Sequence, residues 1–126
     1  MHNSVQKLIN IQNSLSLKFK NLEISKLPNI IAVSKTFKIE KILPLIEFGH
    51  LHYGENKVQE AIDKWSDIKS QNTALKLHLI GKLQTNKVKL SLKIFDYIHS
   101  VDNEKLAKKI SDEENKINKK VKIFIQ

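Results

Sequence analysis

Apolar residues recur along the chain at two spacings, which predict the order of its helices and strands. Between residues 4 and 22 they return every three or four positions, and this predicts an amphipathic helix. A short apolar run follows at 29–34, and helical and strand-like stretches then alternate up to residue 125. The first helical face consists of Leu8, Ile11, Leu15, Phe19 and Leu22.

The apolar run from Asn29 to Ser34 is continuous rather than alternating, and it is rich in β-branched residues. Such a run predicts a strand buried on both faces, as in a parallel sheet. The segment ends in Ser34, Lys35 and Thr36, so an amine lies at the end of a predicted buried strand. Lys35 is therefore the first candidate for chemistry, although most strand-ending lysines are ordinary surface residues.

The rest of the chain predicts four more strands, separated by helices. A helix followed by four strand–helix units and a last strand indicates an α/β fold with a parallel sheet. We expect one domain, residues 1–126. The predicted later strands cover residues 50–54, 75–80, 97–101 and 121–125, and the clearest crossover helix carries Val58, Ala61, Ile62, Trp65 and Ile68 on one face.

At four places the pattern alone leaves the bounds or the type of an element open or depends on a single residue. Pro44 lies inside the second helical segment, so that helix is expected to begin late, near Lys41, or to be kinked, and to end at Gly49. Residues 88–95 fit a strand by alternation and a helix by their 88, 92 and 95 face, with Asn86 as a possible cap. Asn103 is expected to cap the last helix, and the charged stretch 111–120 is expected to fray into solvent.

The charge suggests a nucleic-acid-binding module, but the composition argues against a specific one. The formal net charge is +9, and all 22 basic residues are lysines. Specific nucleic-acid readers use arginine for bidentate contacts, and the lysines here are interleaved with acids. The chain has no cysteine, no apolar run long enough to cross a bilayer and no secretory leader, so we expect a cytoplasmic protein without disulfides.

Polar residues follow several predicted strands, and in a parallel sheet these strand ends share one edge, where binding sites form. Each stretch also has an ordinary interpretation as a turn, a cap or a polar loop. Histidines occur at positions 50, 52, 78 and 99, but their spacing matches no common zinc signature, and packing roles are favoured. The strand-end stretches are 34–36, 53–56, 80–87 and 100–103.

At these stretches the chain resembles the pyridoxal phosphate homeostasis proteins, whose fold is similar to the N-terminal domain of alanine racemase. No single stretch is specific, but their order and spacing together are. The segments that carry the resemblance are AVSKT at 32–36, YGEN at 53–56 with VQE at 58–60, HLIG at 78–81, LQTNK at 83–87, IHSVD at 98–102 and IFIQ at 123–126.

The resemblance implies an incomplete (β/α) barrel of TIM type, with Lys35 holding pyridoxal 5'-phosphate as a Schiff base. Burial at a barrel mouth lowers the pKa of a lysine and would free its amine for that bond. The family members are cofactor carriers without established substrate turnover. The implied cofactor-binding residues are Lys35, Asn56, His78, Gln84, Asn86 and Lys87, with no catalytic residue and no metal ligand.

A barrel of this kind typically has eight strands in about 250 residues, and five strands are predicted here. The chain therefore resembles the N-terminal half of a family member, whose late phosphate-binding loop it lacks. We expect it to need a second copy or a separately encoded C-terminal half. The alternatives are an amino-acid racemase or decarboxylase that uses the same lysine, and the basic nucleic-acid-binding module.

Overall fold

A computed structural model describes residues 1–23 and 26–126 and contains a 5-stranded sheet in the order β1-β2-β3-β4-β5. Every neighbouring pair of strands is parallel, so the predicted α/β order is confirmed. The strands are β1 (Ala32–Val33), β2 (His52–Glu55), β3 (Lys76–Leu79), β4 (Tyr97–Val101) and β5 (Lys122–Ile125). The helices are α1 (Asn3–Lys18), α2 (Ile39–Phe48), α3 (Val58–Gln71), α4 (Val88–Ser91) and α5 (Glu104–Ile117).

The main core lies on one face of the sheet, where alternate strand residues meet the crossover helices. Tyr53, Leu77 and Ile98 are all 0% exposed, and Trp65 of α3 packs on Tyr53 with 4.8 Å between ring centroids. Because successive residues of a strand point to opposite faces, the residues next to them lie on the second face of the sheet. The residues that pack in the core therefore determine which strand residues lie on the second face.

The first strand is not buried on both faces, so this expectation was wrong. Only Ala32–Val33 pairs with a neighbour, and Val33 is 52% exposed. The strand lies at one edge of the sheet, with β2 as its single neighbour among the described residues. At the opposite edge every residue of β5 is exposed. The prediction assumed a central strand with a neighbour on each side. In the described sheet β1 and β5 are the outer strands, and each has one neighbour.

The expectation of a late start for α2 was also wrong, because the helix begins at Ile39 with Pro44 inside it. A proline there removes the hydrogen bond to the carbonyl group four residues earlier. Burial of Ile42 and partial burial of Leu45 against the core accompany this loss. Gly49 ends the helix with φ 104°, as predicted, and its N–H group donates to the carbonyl groups of Leu45 and Ile46.

Residues 88–91 follow the helical alternative, and residues 92–94 continue as a turn. A 3-10 turn at Thr85–Lys87 leads into α4, and Val88, Leu92 and Phe95 are each 0% exposed. Asn86 is not the cap, because it lies inside the 3-10 turn and Lys87 precedes α4. The strand-like alternation of residues 88–94 had no neighbouring strand to pair with.

The charged stretch after Ile110 is part of the fold and does not fray. Helix α5 continues to Ile117, and Asn103 caps its start by accepting from the N–H group of Leu106 at 2.8 Å. Glu113 is 3% exposed and pairs with two lysines of its own helix. Lys119 donates to the carbonyl group of Phe95 at 3.1 Å. Most residues of this stretch are exposed, as their charge indicated, but the helix continues through them to Ile117.

Three smaller boundaries differ from the prediction. Helix α1 ends at Lys18, so Phe19 and Leu22 lie beyond it and are 38% and 45% exposed. Gly54 lies within β2 rather than in a turn, and α3 extends to Gln71. In the part of the chain that the structure describes, no helix is long and apolar enough to cross a membrane.

Candidate functional site

Lys35 lies directly after β1, at the carboxyl edge of the sheet, and its side chain is exposed. The expected burial of this amine is therefore not found among the described residues. The backbone around it is held in place, because the N–H group of Ser34 donates to the carbonyl group of Gly54 at 3.0 Å. Thr36 has φ 67°, a left-handed conformation that is uncommon for a β-branched residue.

The loops after β2 and β3 touch at the same edge. A Cβ atom added to Gly81 would lie 2.5 Å from the carbonyl oxygen of Asn56, so only glycine permits this approach. Sequence alone predicted that these loops share an edge, because their strands are parallel. The close approach places Asn56 against the segment that leads to Gln84.

A groove of about 280 Å³ lies between these two loops. It brings together three of the predicted site residues, namely Asn56, Gln84 and Lys87. Three lysines and no carboxylate line it, so its charge suits an anion. Its lining residues are Asn56, Lys57, Val58, Gln59, Lys82, Leu83, Gln84 and Lys87.

The other predicted site residues lie elsewhere. Lys35 follows β1 and is not among the residues that line the groove. Asn86 faces a separate groove with Lys105 and Lys108 of α5. His78 lies within β3, on the sheet face opposite the main core. The structure thus divides the six predicted residues among four places.

His52, His78 and His99 form a hydrogen-bonded row across β2, β3 and β4, which we call the histidine ladder. Nδ1 of His52 lies 2.9 Å from Nε2 of His78, and Nδ1 of His78 lies 2.9 Å from Nε2 of His99. Both ring nitrogens of His78 therefore have an imidazole partner. No group of three or more His, Asp or Glu side chains within residues 1–23 and 26–126 could hold a metal ion.

Aromatic rings and one cation extend the ladder. The ring of Tyr97 stacks on His78 with 4.1 Å between centroids and 7° between planes. Phe124 stacks on His99 at 4.5 Å, and Nζ of Lys122 lies 5.7 Å from the centre of the Tyr97 ring. This face of the sheet is therefore aromatic and partly basic.

The ladder favours neutral imidazoles. Burial, and then the neighbouring His52 and His99, lower the pKa of His78 from the ordinary 6.5 to about 4, while Asp96 opposes the shift. Burial also lowers the pKa of His52 and of His99. A neutral imidazole has one donor and one acceptor nitrogen, so a proton added to His78 turns its acceptor into a second donor. The neighbouring imidazole that donated to this nitrogen must then change tautomer or lose the hydrogen bond, so protonation disturbs the ladder.

Acid is therefore expected to destabilise the fold through His78. A group whose pKa is lower in the folded chain stabilises it fully above the unfolded pKa, and this stability is lost as the pH falls from 6.5 towards 4. The free energy of unfolding should fall by about 2 kcal/mol between pH 7.5 and 5.0 through His78 alone. Urea unfolding at pH 7.5, 6.5, 5.5 and 5.0 measures the slope before most carboxylates titrate.

The matched variant is His78→Gln, in which the residue no longer titrates. Its free energy of unfolding should depend less steeply on pH than that of the unaltered chain, with His52 and His99 supplying the remaining slope. An equal slope in both proteins would mean that His78 does not carry the acid sensitivity.

Sequence reasoning missed the ladder and the contacts of Glu55. The signal for the ladder was present, since positions 52, 78 and 99 lie in three successive predicted strands, but their register was not readable. Gly54 pairs with His78, and His78 pairs with Tyr97. Glu55 belonged to a recognised motif, but its hydrogen-bond partners come from two other segments: Ser34 follows β1, and Lys64 and Trp65 lie in α3.

Comparison with known proteins gives consistent results. No protein-family model matches the chain. The pyridoxal phosphate homeostasis protein of Vibrio cholerae is 41% identical over 86 residues, which are 67% of this chain and 36% of that protein. The protein of the same name from Haemophilus influenzae is 32% identical over 126 residues, covering 94% of this chain and 53% of that protein. The protein of the same name from Buchnera aphidicola is 41% identical over 101 residues, which are 80% of this chain and 43% of that protein.

Solved structures give the same result for the fold. PipY of Synechococcus elongatus, solved with pyridoxal phosphate bound, is 35% identical with a TM-score of 0.73, covering 90% of this chain and 52% of PipY. A protein of unknown function from Bifidobacterium adolescentis is 27% identical with a TM-score of 0.80, covering 94% of this chain and 51% of that one. The chain thus spans about half the length of the proteins it matches.

Proposed function

Because this chain is related in sequence and fold to the N-terminal half of the pyridoxal phosphate homeostasis proteins, we propose that it binds pyridoxal 5'-phosphate and contributes to controlling the free cofactor. Lys35 would hold the cofactor as a Schiff base. The observation that carries the proposal is the position of this amine, exposed directly after β1 at the carboxyl edge of a parallel sheet. Ligands bind at that edge in barrels of this class.

The residues of this chain fit the cofactor chemically. An aldehyde needs an accessible primary amine, which Lys35 supplies. A phosphate needs cations or N–H donors, and the groove at Asn56 has Lys57, Lys82 and Lys87 without a carboxylate. We propose that Asn56, Gln84 and Lys87 contact the bound cofactor. His78 and Asn86 remain predicted contacts that lie outside this groove.

We propose a carrier role without substrate turnover. The support is the name shared by the curated relatives, which describes homeostasis rather than a reaction. When bound, the cofactor supplies an electrophilic aldehyde, and a protein that holds it on a lysine lowers its free concentration. In that role this chain's residues only bind and orient the cofactor.

The test is to identify the lysine that reacts. The purified chain is mixed with one equivalent of pyridoxal 5'-phosphate, reduced with borohydride and digested, and the labelled peptide is identified by mass spectrometry. Label concentrated on the peptide with Lys35 supports the proposal. Label spread evenly over the 22 lysines contradicts it, since this is the result for unspecific Schiff bases.

We further propose that a complementary C-terminal half, rather than a second copy, covers the open sheet. Eight strands close a barrel of this type, so three more strands would join β1 to β5, whereas a second copy would add five. The surface to be covered is apolar, because Val33, Phe124 and Ile125 are 52%, 50% and 87% exposed.

The chain and the separately expressed C-terminal half of the Buchnera aphidicola relative should therefore form a one-to-one complex in analytical ultracentrifugation. The control is Phe124→Lys, which places a charge on the face to be covered and should weaken the complex. A homodimer of this chain that ignores the added half would contradict the proposal and favour the second copy.

A further inference from the structure

Glu55, the last residue of β2, accepts three hydrogen bonds from other segments of the chain. Its side chain is fully buried, and its Oε2 atom accepts from the hydroxyl group of Ser34 at 2.5 Å, from Nζ of Lys64 at 3.0 Å and from Nε1 of Trp65 at 3.1 Å. Lys64 is itself buried, with 9% of its side chain exposed. We call Ser34, Glu55, Lys64 and Trp65 the Glu55 network.

The Glu55 network holds the backbone on the N-terminal side of Lys35. Nζ of Lys64 donates to the carbonyl oxygen of Ser34 at 2.8 Å, while the hydroxyl group of Ser34 reaches Glu55. The N–H group of Ser34 is bound to Gly54. Every polar group of Ser34 is therefore tied to β2 or α3, and the next residue along the chain is Lys35.

A second contact holds the other side of Lys35. The N–H group of Thr36 donates to Oε1 of Glu60 at 3.3 Å, and Glu60 lies 3.8 Å from Nζ of Lys64. Thr36 has the left-handed φ of 67°, a conformation that persists where the surrounding structure fixes it. Two residues of α3 thus anchor the backbone before and after Lys35, while the lysine side chain stays exposed.

We propose that Glu55 is a positioning residue, whose buried carboxylate fixes the Ser34–Thr36 backbone so that the amine of Lys35 is presented at a constant place and direction. The inference rests on the proposed role of Lys35. A carboxylate in this position orders three donors with one oxygen atom, namely Ser34 after β1 and Lys64 and Trp65 of α3. An aldehyde then meets an amine whose backbone is already ordered, and less conformational freedom is lost when the bond forms.

A purely structural role is the competing explanation, and the chain contains a matched control for it. Glu113 of α5 is also a buried carboxylate, 3% exposed, with Oε1 paired to Lys109 and Lys116. In both residues the other oxygen finds no partner within the described part of the chain. Glu113 makes no hydrogen bond or ion pair with the segment around Lys35 among the described residues. Glu113→Gln therefore removes a buried carboxylate at a different place, where its lysine partners are more exposed than Lys64.

The experiment compares Glu55→Gln and Glu113→Gln with the unaltered chain in two measurements. The first is amide hydrogen exchange at residues 34–37, which needs no cofactor. The second is the affinity for pyridoxal 5'-phosphate, followed by Schiff-base absorbance. Glu55→Gln should speed exchange at residues 34–37 and weaken binding about tenfold or more, because the amide keeps only one acceptor oxygen and no longer carries the charge that pairs with buried Lys64. Glu113→Gln should change neither the exchange nor the affinity.

If Glu55→Gln does not fold, Ser34→Ala replaces it in the experiment, because this variant keeps the buried ion pair. Ser34→Ala should also speed exchange and weaken binding, but each by less than Glu55→Gln.

Three results would overturn the inference: unchanged exchange at residues 34–37 in Glu55→Gln, faster exchange without weaker binding, or equal effects in Glu113→Gln. Failure of the proposed function is recognised separately, because the unaltered chain would then form no Schiff base at Lys35. Unchanged exchange at residues 34–37 would still reject a positioning role for Glu55 in that case.

Discussion

Replacement of Lys35 by alanine is expected to abolish the specific Schiff base with pyridoxal 5'-phosphate. A Schiff base requires a primary amine, and in the proposed function Lys35 supplies it at the carboxyl end of β1. The side chain of Lys35 is exposed and makes no hydrogen bond or ion pair with the described residues, so the free energy of unfolding should change by less than about 0.5 kcal/mol. Loss of binding would then be a local effect.

The measurement is the absorbance band of the Schiff base at increasing pyridoxal 5'-phosphate, with borohydride labelling to count bound cofactor. Lys87→Ala is the matched control, since it removes a lysine from the same edge of the sheet. It should weaken binding without removing the band. A band of equal strength in Lys35→Ala would show that another amine binds the cofactor and would reject the assignment.

Replacement of Trp65 by alanine should have the largest effect on stability. Trp65 is 0% exposed, packs on Tyr53 and donates to Glu55 at 3.1 Å. Truncation of a buried tryptophan costs about 3–5 kcal/mol, a large part of the roughly 5–15 kcal/mol that stabilises an ordinary domain. We expect the melting temperature to fall on the order of 10–20 °C.

Thermal unfolding followed by circular dichroism measures this change. Two controls separate the contributions: Leu17→Ala removes an apolar side chain that is 76% exposed, and Trp65→Phe keeps a ring but removes the N–H donor. Leu17→Ala should be neutral, and Trp65→Phe should lie between the two. A melting temperature for Trp65→Ala close to that of Leu17→Ala would mean that the contact between α3 and the sheet is not a main source of stability.

Local sequence was sufficient where one short-range force decides a structure. The 3.6-residue spacing of apolar positions placed α3, because its buried stripe needs no information from elsewhere. The asparagine cap at residue 103 and the glycine end at residue 49 were also readable, since each depends on one side chain or one backbone conformation. The parallel order followed from the alternation of these elements.

Local sequence was insufficient where contacts with a distant segment determine the secondary structure or the burial of a residue. Residues 88–95 satisfied two periodicities, and only the missing partner strand excluded one of them. Lys119 was expected in solvent, but it bonds to the carbonyl group of Phe95, from a segment more than twenty residues away. The burial expected for the first strand required a second neighbour that the described sheet does not supply.

For the candidate site, the sequence by itself determined that an amine ends the first strand and that polar loops share its edge. The tertiary structure decided which of these groups meet. It brought Asn56, Gln84 and Lys87 to one groove, moved Asn86 to another and placed His78 in a row of imidazoles. The physical reason is that strand order follows from chain connectivity, whereas the contacts of a side chain depend on strand register and on helix packing, which no single segment encodes.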